Sequence, residues 1–307
     1  MPAVSLAPLN GKRTTGIDYN GEDNGPEGQT DSQMLSSLAV HAARVAPRFV
    51  KRWVHRHDTI YRWCRHSFAA LVGMGGGTVT VESGPAAGLR LAVSQHVSHA
   101  HIRGTYEPDS LLAIDRFVRP GDVCYDLGAS IGYLTLVMAR RARHVYAFEP
   151  SPVAAEEMRK HVAANRFSNI TIVPQPVSDS RRVVEFGISD TAFDSYIGGG
   201  RGTWPMLTLT TVTLDEFTET YPPPDFLKID VEGEEVNVLR GARKILETKR
   251  SIIWCELHSA ELGRDVLAVL SGYGYRVTTL SGEEFQVTGP IVPGKIQVLA
   301  LPESVSR

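Results

Sequence analysis

Long apolar runs are missing from this sequence. No stretch reaches the roughly 18 apolar residues a membrane helix needs, which excludes a helical membrane protein. Cysteine is scarce: Cys64, Cys124 and Cys255 are the only three. Their odd number and their spacing fit neither a disulfide framework nor a zinc site. Cys124 and Cys255 lie in apolar runs and read as buried thiols. A surplus of either charge is also absent. Lysine and arginine total 32 against 34 aspartate and glutamate, a formal net charge of −2. The chain therefore lacks the global basic field that would favour nucleic acid as a partner. Near the N-terminus, Lys12 and Arg13 lead into a polar Gly/Asp/Asn segment rather than the apolar stretch of a secretory signal. The expected location is cytoplasmic.

What is present divides the 307 residues into three parts. Residues 1–33 are rich in Gly, Asn, Asp and Thr without apolar periodicity and read as a disordered tail. Residues 34–75 read as a basic amphipathic helical extension. Val45, Phe49 and Trp53 recur at helical spacing, with Arg44, Arg48, Lys51, Arg52 and Arg56 around them. That stretch suits a cap packed on the main domain, or peripheral membrane contact through residues 41–70 at the inner face of a membrane. The glycine-rich segment 73–77 marks the boundary, and 76–307 read as one domain.

Within it, Thr78–Glu82 and Leu89–Val93 suggest a β pair, and Pro108 opens a helix through Phe117. Strands and helices then alternate: Val123–Leu127, Ile131–Arg141, His144–Phe148, Pro152–Asn165 and Ile170–Val173. A less regular stretch holds strand-like Val183–Phe186 and Leu207–Val212. Phe226–Ile229, Glu235–Leu246, Ile252–Leu257, Ala260–Ser271, Tyr275–Thr278 and Ile296–Leu301 follow. This pattern predicts an α/β, Rossmann-like, mostly parallel sheet. Right-handed crossovers place the strand-to-helix loops at one edge, where ligands bind.

Four clusters fall at that edge. Asp126-Leu127-Gly128-Ala129-Ser130-Ile131-Gly132 joins a strand to a helix. Its glycines permit a tight turn and close approach of a ligand. It is neither a phosphate loop nor G-x-G-x-x-G, and the acid before the turn suits a ligand carrying an ammonium group. Glu149 ends the next strand, where a carboxylate can accept hydrogen bonds from both hydroxyls of a ribose; NAD and S-adenosylmethionine both meet that description. Asp230 and Glu232 follow the fourth strand in a turn crowded with acids, while Glu234 and Glu235 suit a helix N-terminus. Glu256 and His258 end the fifth strand, where an acid and an imidazole could orient or deprotonate a hydroxyl.

In order along the chain, these pieces resemble the FkbM family of S-adenosylmethionine-dependent methyltransferases. The resemblance runs over residues 104–280. It rests on Gly104-Thr105-Tyr106-Glu107, Pro120-Gly121-Asp122, the Asp126–Gly132 turn with Tyr133, Phe148-Glu149-Pro150 and Val177-Ser178-Asp179. Val212–Phe217, Phe226–Glu235, Leu239-Arg240-Gly241-Ala242 and Ile253–His258 complete it. Ser130 stands where the family usually has Asn. The resemblance implies a seven-stranded sheet with its last strand antiparallel, and methyl transfer to oxygen on a sugar, glycolipid or secondary metabolite. It places the methionine part of the cofactor at Asp126, Gly128, Ala129, Ser130 and Gly132, the ribose at Glu149 and the adenine near Ser178 and Asp179.

For the acceptor end the expected residues are Tyr106, Glu107 and Glu232, with Asp230, His258 and Glu256 as catalytic groups. Asp230 has the better position for a base and His258 the better intrinsic pKa. Alternatively, Asp230 and Glu256 hold a divalent ion such as Mg²⁺ that lowers the hydroxyl pKa. Competing readings are methylation of a protein or RNA, and cofactor binding without catalysis.

Overall fold

The structure, a computed structural model, describes residues 77–188, 196–197, 205–287 and 296–302. The expected tail, the basic extension with its membrane-contact segment, and Cys64 lie outside these residues. Among the described residues no helix is long and apolar enough to cross a membrane.

A hairpin, β1 (Thr78–Thr80) and β2 (Arg90–Ala92), precedes two helices, α1 (His99–Arg103) and α2 (Pro108–Phe117). The alternating series is β3 (Val123–Leu127), α3 (Tyr133–Ala139), β4 (His144–Phe148), α4 (Pro152–Asn165) and β5 (Ile170–Val173). A small antiparallel sheet of β6 (Val183–Gly187), β7 (Tyr196–Ile197) and β8 (Met206–Thr210) interrupts it. Then come α5 (Leu214–Phe217), β9 (Phe226–Ile229), α6 (Glu235–Arg240), α7 (Arg243–Thr248), β10 (Ile252–Leu257), α8 (Ala260–Gly272), β11 (Tyr275–Thr279) and β12 (Ile296–Pro302).

The main sheet has seven strands in the order β11-β12-β10-β9-β3-β4-β5. The run from β10 to β5 is parallel, and β12 is antiparallel to both its neighbours. This is the expected seven-stranded arrangement with the last strand reversed. Strand order reverses between β3 and β9, so a crevice opens beyond their carboxyl ends.

Both sheet faces are covered, and side chains alternate between them with the period of two that strands impose. Cys124, Phe226, Ile252 and Trp254 pack with the hairpin, α2 and α3. Tyr125, Leu127, Leu227, Ile229, Ile253 and Cys255 pack with α5, α6, α7 and α8. Cys124 and Cys255 are fully buried free thiols, as the apolar runs around them suggest.

Three local departures have physical causes. The helix expected over Glu235–Leu246 is two helices broken at Gly241-Ala242. A Cβ on Gly241 would lie 2.3 Å from the Ser178 carbonyl oxygen, so the chain is pressed against its neighbour there. The Asp215 carboxylate then accepts from Lys244 N–H and starts α7 afresh. The short α5 stands where no helix is expected, and Thr213-Leu214-Asp215-Glu216 starts it with a capping box in which Glu216 N–H donates to Thr213 Oγ1 at 3.0 Å. Helix α1 likewise starts at a Ser98 cap and ends at left-handed Gly104.

Candidate active site

A cavity of about 490 Å³ occupies the crevice, within the usual size range for a ligand site. The carboxyl ends of five parallel strands supply its floor: residues 127–131 at β3, 149–150 after β4, 175–177 after β5, residues within 230–234 after β9, and Glu256 with His258 at the end of β10. Ser98, His101, Tyr106 and Glu107 wall it from the α1–α2 side, and Phe186 and Ile197 from the small sheet.

The loop after β3 is held by close packing. Gly128 has φ +72, and a Cβ there would sit 1.8 Å from the Asp230 carbonyl oxygen. Only glycine lets the β3 and β9 loops approach this closely. Ser130 is also left-handed, at φ +50, a conformation that asparagine tolerates better than serine. Gly128, Ala129 and Ser130 line the cavity. Gly132 does not; it turns beneath the loop, where a Cβ would meet Met158 at 2.3 Å.

Asp126 departs from expectation. Its side chain is fully buried under the loop and does not line the cavity. Thr135 Oγ1 donates to it at 2.5 Å, and Lys228, its cross-strand partner in register on β9, brings Nζ to 3.1 Å. That second contact is an ion pair rather than an aligned hydrogen bond. Lys228 also donates to the Gly128 carbonyl at 3.1 Å and lies 3.5 Å from Asp230 Oδ2. Burial alone would lower the Lys228 pKa, but the charges of Asp126, Asp230 and Glu107 outweigh it and raise the pKa. The acid before the turn thus anchors the loop through a buried ion pair and does not face the cavity.

Glu149 is buried and lines the cavity. Ser130 N–H donates to one carboxylate oxygen at 2.7 Å and Ser151 N–H to the other at 2.8 Å. Each oxygen keeps a second lone pair. Burial pushes its pKa up to about 7, against the lowering effect of the two amide hydrogen bonds and Lys228. Ser178 and Asp179 do not reach the cavity. Ser178 Oγ is buried and donates to Glu234 at 2.8 Å, and Asp179 turns outward beside Arg182. Gln175, Pro176 and Val177 line the space in their place.

At the other end the structure brings Tyr106, Glu107, Asp230, Glu232, Glu256 and His258 together. Glu107 and Glu232 are both left-handed, at φ 44 and 51, the strained backbone that clusters at functional sites. Tyr106 stacks on His101, with ring centroids 3.9 Å apart, and meets Tyr133 edge-on at 5.7 Å. Burial, followed by the neighbouring Glu107, raises the Tyr106 pKa and keeps the phenol protonated.

His258 is enclosed by acids. Its Nδ1 lies 2.8 Å from Glu235 Oε1. Its Nε2 lies 3.5 Å from Glu232, 3.6 Å from Asp230 and 3.8 Å from Glu256. Burial would lower its pKa, but the hydrogen bond to Glu235 and the charges of Glu235, Glu232 and Asp230 raise it to about 9. At neutral pH the ring is an imidazolium. Glu235, read from sequence as a helix-end charge, is the fully buried partner of that ring. Both Lys228 and Glu235 stand in the Phe226–Glu235 piece, but their roles are not legible there: that of Lys228 depends on its cross-strand neighbour Asp126, and that of Glu235 on a histidine 23 residues away.

The Asp126–Gly132 turn beside a buried strand-end acid, on a seven-stranded sheet with its last strand reversed, defines a Rossmann-like methyltransferase. Residues 126–277 match the model of the methyltransferase FkbM domain. This segment is an FkbM methyltransferase domain, and the chain is an S-adenosylmethionine-dependent methyltransferase. It is 28% identical over 177 residues to the hexuronic acid methyltransferase AglP of Haloferax volcanii, spanning 55% of this chain and 70% of that one. A carboxy-S-adenosyl-L-methionine synthase of Shigella boydii is 37% identical over 90 residues, 28% of this chain and only 32% of the relative. Among solved structures, methyltransferase FkbM from Methylobacillus flagellatus has a TM-score of 0.39 and 16% identity, covering 66% of this chain and 55% of its own.

Proposed function

We propose that the cleft transfers a methyl group to a hydroxyl of a carbohydrate-containing acceptor. The observation that carries this reading is the ring of carboxylates at the acceptor end. Glu107, Asp230, Glu232 and Glu256 come from three separate parts of the chain and line one cavity with the β3 loop. Carboxylates accept hydrogen bonds from the several hydroxyls of a sugar. The relative AglP, named for a hexuronic acid substrate, supports a sugar acceptor.

The residues present fit the cofactor. Glu149 offers two oxygens with spare lone pairs to a ribose diol, the β3 loop gives close backbone approach, and Gln175–Val177 offer a wall for the adenine. S-adenosylmethionine, when bound, supplies an electrophilic methyl group on a sulfonium. The chain must align the acceptor oxygen with that group and take its proton. We assign the proton to Asp230, at the end of β9 beside Gly128. His258, an imidazolium, donates a hydrogen bond instead of acting as base. Tyr106 and Glu107 close the acceptor side against water.

A divalent cation is the second reading. The ligating atoms of Asp230, Glu256 and His258 all lie within 4.8 Å of one another. Two carboxylates alone would suit Mg²⁺; with the imidazole the set suits a transition metal better.

The test is release of S-adenosylhomocysteine over a panel of hexuronic acid glycosides, neutral glycosides, glycolipids, protein and RNA, with and without chelator. Turnover with sugar acceptors and loss of about 100-fold or more in Asp230→Asn is expected. Turnover confined to protein or RNA would overturn the sugar assignment. Cofactor binding with silence across the panel would favour a binding protein, and indifference to chelator would remove the metal.

A further inference from the structure

Gln297 lies on β12, far in sequence from every cleft residue and outside the matched family segment. It is the in-register antiparallel partner of Glu256. Its Nε2 donates to Glu256 Oε2 at 3.2 Å. Its Oε1 faces Ser110 Oγ at 3.3 Å, and Ser110, buried in the first turn of α2, lies 3.2 Å from Glu107 Oε2. A continuous chain thus joins Glu107, Ser110, Gln297 and Glu256.

The chemistry of the groups fixes the amide's orientation. A carboxylate is acceptor-only, so the face of Gln297 toward Glu256 must be the NH₂ group. The carbonyl then faces the serine hydroxyl, whose single proton is shared between Gln297 Oε1 at 3.3 Å and Glu107 Oε2 at 3.2 Å in a three-centre bond. Glu107 does not cap its own helix; its carboxylate is drawn to Ser110 instead. One oxygen of Glu256 is occupied, and the other, Oε1, is left facing His258.

We propose that Gln297 is a positioning residue: through Ser110 it ties the Glu107 and Glu256 carboxylates into one clamp that holds the hydroxyls of the acceptor. The proposal rests on the sugar-hydroxyl reading above. It explains how α2, the sheet and the final strand, distant in sequence, present two acids to one acceptor. A neutral amide and a hydroxyl bridge them.

Gln297→Glu tests this, because it keeps the shape but replaces the donor by an acceptor. The groups facing the new carboxyl are Glu256 from β10 and, through Ser110, Glu107 just before α2, with His258 beyond Glu256. Protonated, the new carboxyl can donate to Glu256 as the amide does; ionised, it repels it. Methyl transfer should therefore stay near wild type at pH 5.5 and fall between about tenfold and a hundredfold relative to wild type by pH 8. Gln297→Leu, which cannot donate, should lose a similar factor at every pH. Both should bind S-adenosylhomocysteine with unchanged affinity.

Two further readouts need no acceptor. Melting of Gln297→Glu should approach wild type on acidification, and the His258 ring resonances should shift in both variants as Glu256 is released toward Nε2. If wild type turns over no sugar, the acceptor reading fails while these two readouts still decide whether the clamp exists. Coincident melting curves and unmoved His258 resonances, or equal activity of Gln297→Glu and wild type at pH 8, would overturn the proposal.

Discussion

Acidification should loosen the cofactor from Glu149 before it weakens the fold. The Glu149 carboxyl is raised from 4.5 to about 7, first by burial and slightly by Asp126, against the Ser151 and Ser130 amides and Lys228. Ionised, each oxygen holds one backbone N–H and can still accept a ribose hydroxyl. Protonated, one oxygen becomes a donor facing an amide donor, and the ribose loses an acceptor. If only the ionised form binds, affinity for S-adenosylhomocysteine should fall from its plateau above pH 8 to about half at pH 7 and about a tenth at pH 6.

Stability should move the other way. The native carboxyl binds a proton near pH 7 that the unfolded chain takes up only near 4.5. The contribution is full below about pH 4.5 and is lost as pH rises through about 7, with a span of about 3 kcal/mol. The ligand-free protein should therefore gain from this group between pH 8 and pH 6 while cofactor binding weakens. Glu149→Gln should flatten both trends and cost about 1.5–3 kcal/mol of binding. Calorimetric titration from pH 5.5 to 8.5, with melting curves alongside, measures both. Affinity that holds constant down to pH 5 would show that burial does not control this carboxyl, or that it does not meet the ribose.

The remaining predictions concern the scaffold under the site. Gly128→Ala should cost far more than the ~1 kcal/mol of a left-handed alanine, because its Cβ would strike the Asp230 carbonyl oxygen; a melting curve within a few degrees of wild type would contradict the packing. Lys228→Met should destabilise by about 3–5 kcal/mol, since Asp126 is left buried and uncompensated, and chemical denaturation should show it. In the presence of chelator, Glu235→Gln should bring the His258 titration, followed by NMR, down from about 9 toward the ordinary imidazole range; an unmoved midpoint would mean that Glu232 and Asp230 suffice.

What could be read from the sequence was whatever local chemistry repeats. The apolar runs at 123–127, 226–229 and 252–257 are strands because they are buried on both faces, and their alternation with helices fixes parallel order and the edge where a ligand sits. Glycine at 128 before a helix, and an acid at 149 ending the next strand, both line the cavity, because both positions follow from strand-loop-helix geometry alone. Side-chain direction was not legible. Asp126 looked like a ligand-facing acid, yet one position along a strand decides which face a side chain takes, and its cross-strand neighbour is a lysine. Ser178 and Asp179 lie one and two residues past the stretch that reaches the cavity, a distinction set by the bridge between Val177 and Val212. The imidazole of His258 seemed a base near pH 7 until packing placed four carboxylates around it. Gln297 acquires its place only when β12 reverses beside β10, because a contact across 41 residues leaves no local pattern; tertiary structure alone decides which polar groups share a buried space, and so which of them can hold a proton or a substrate.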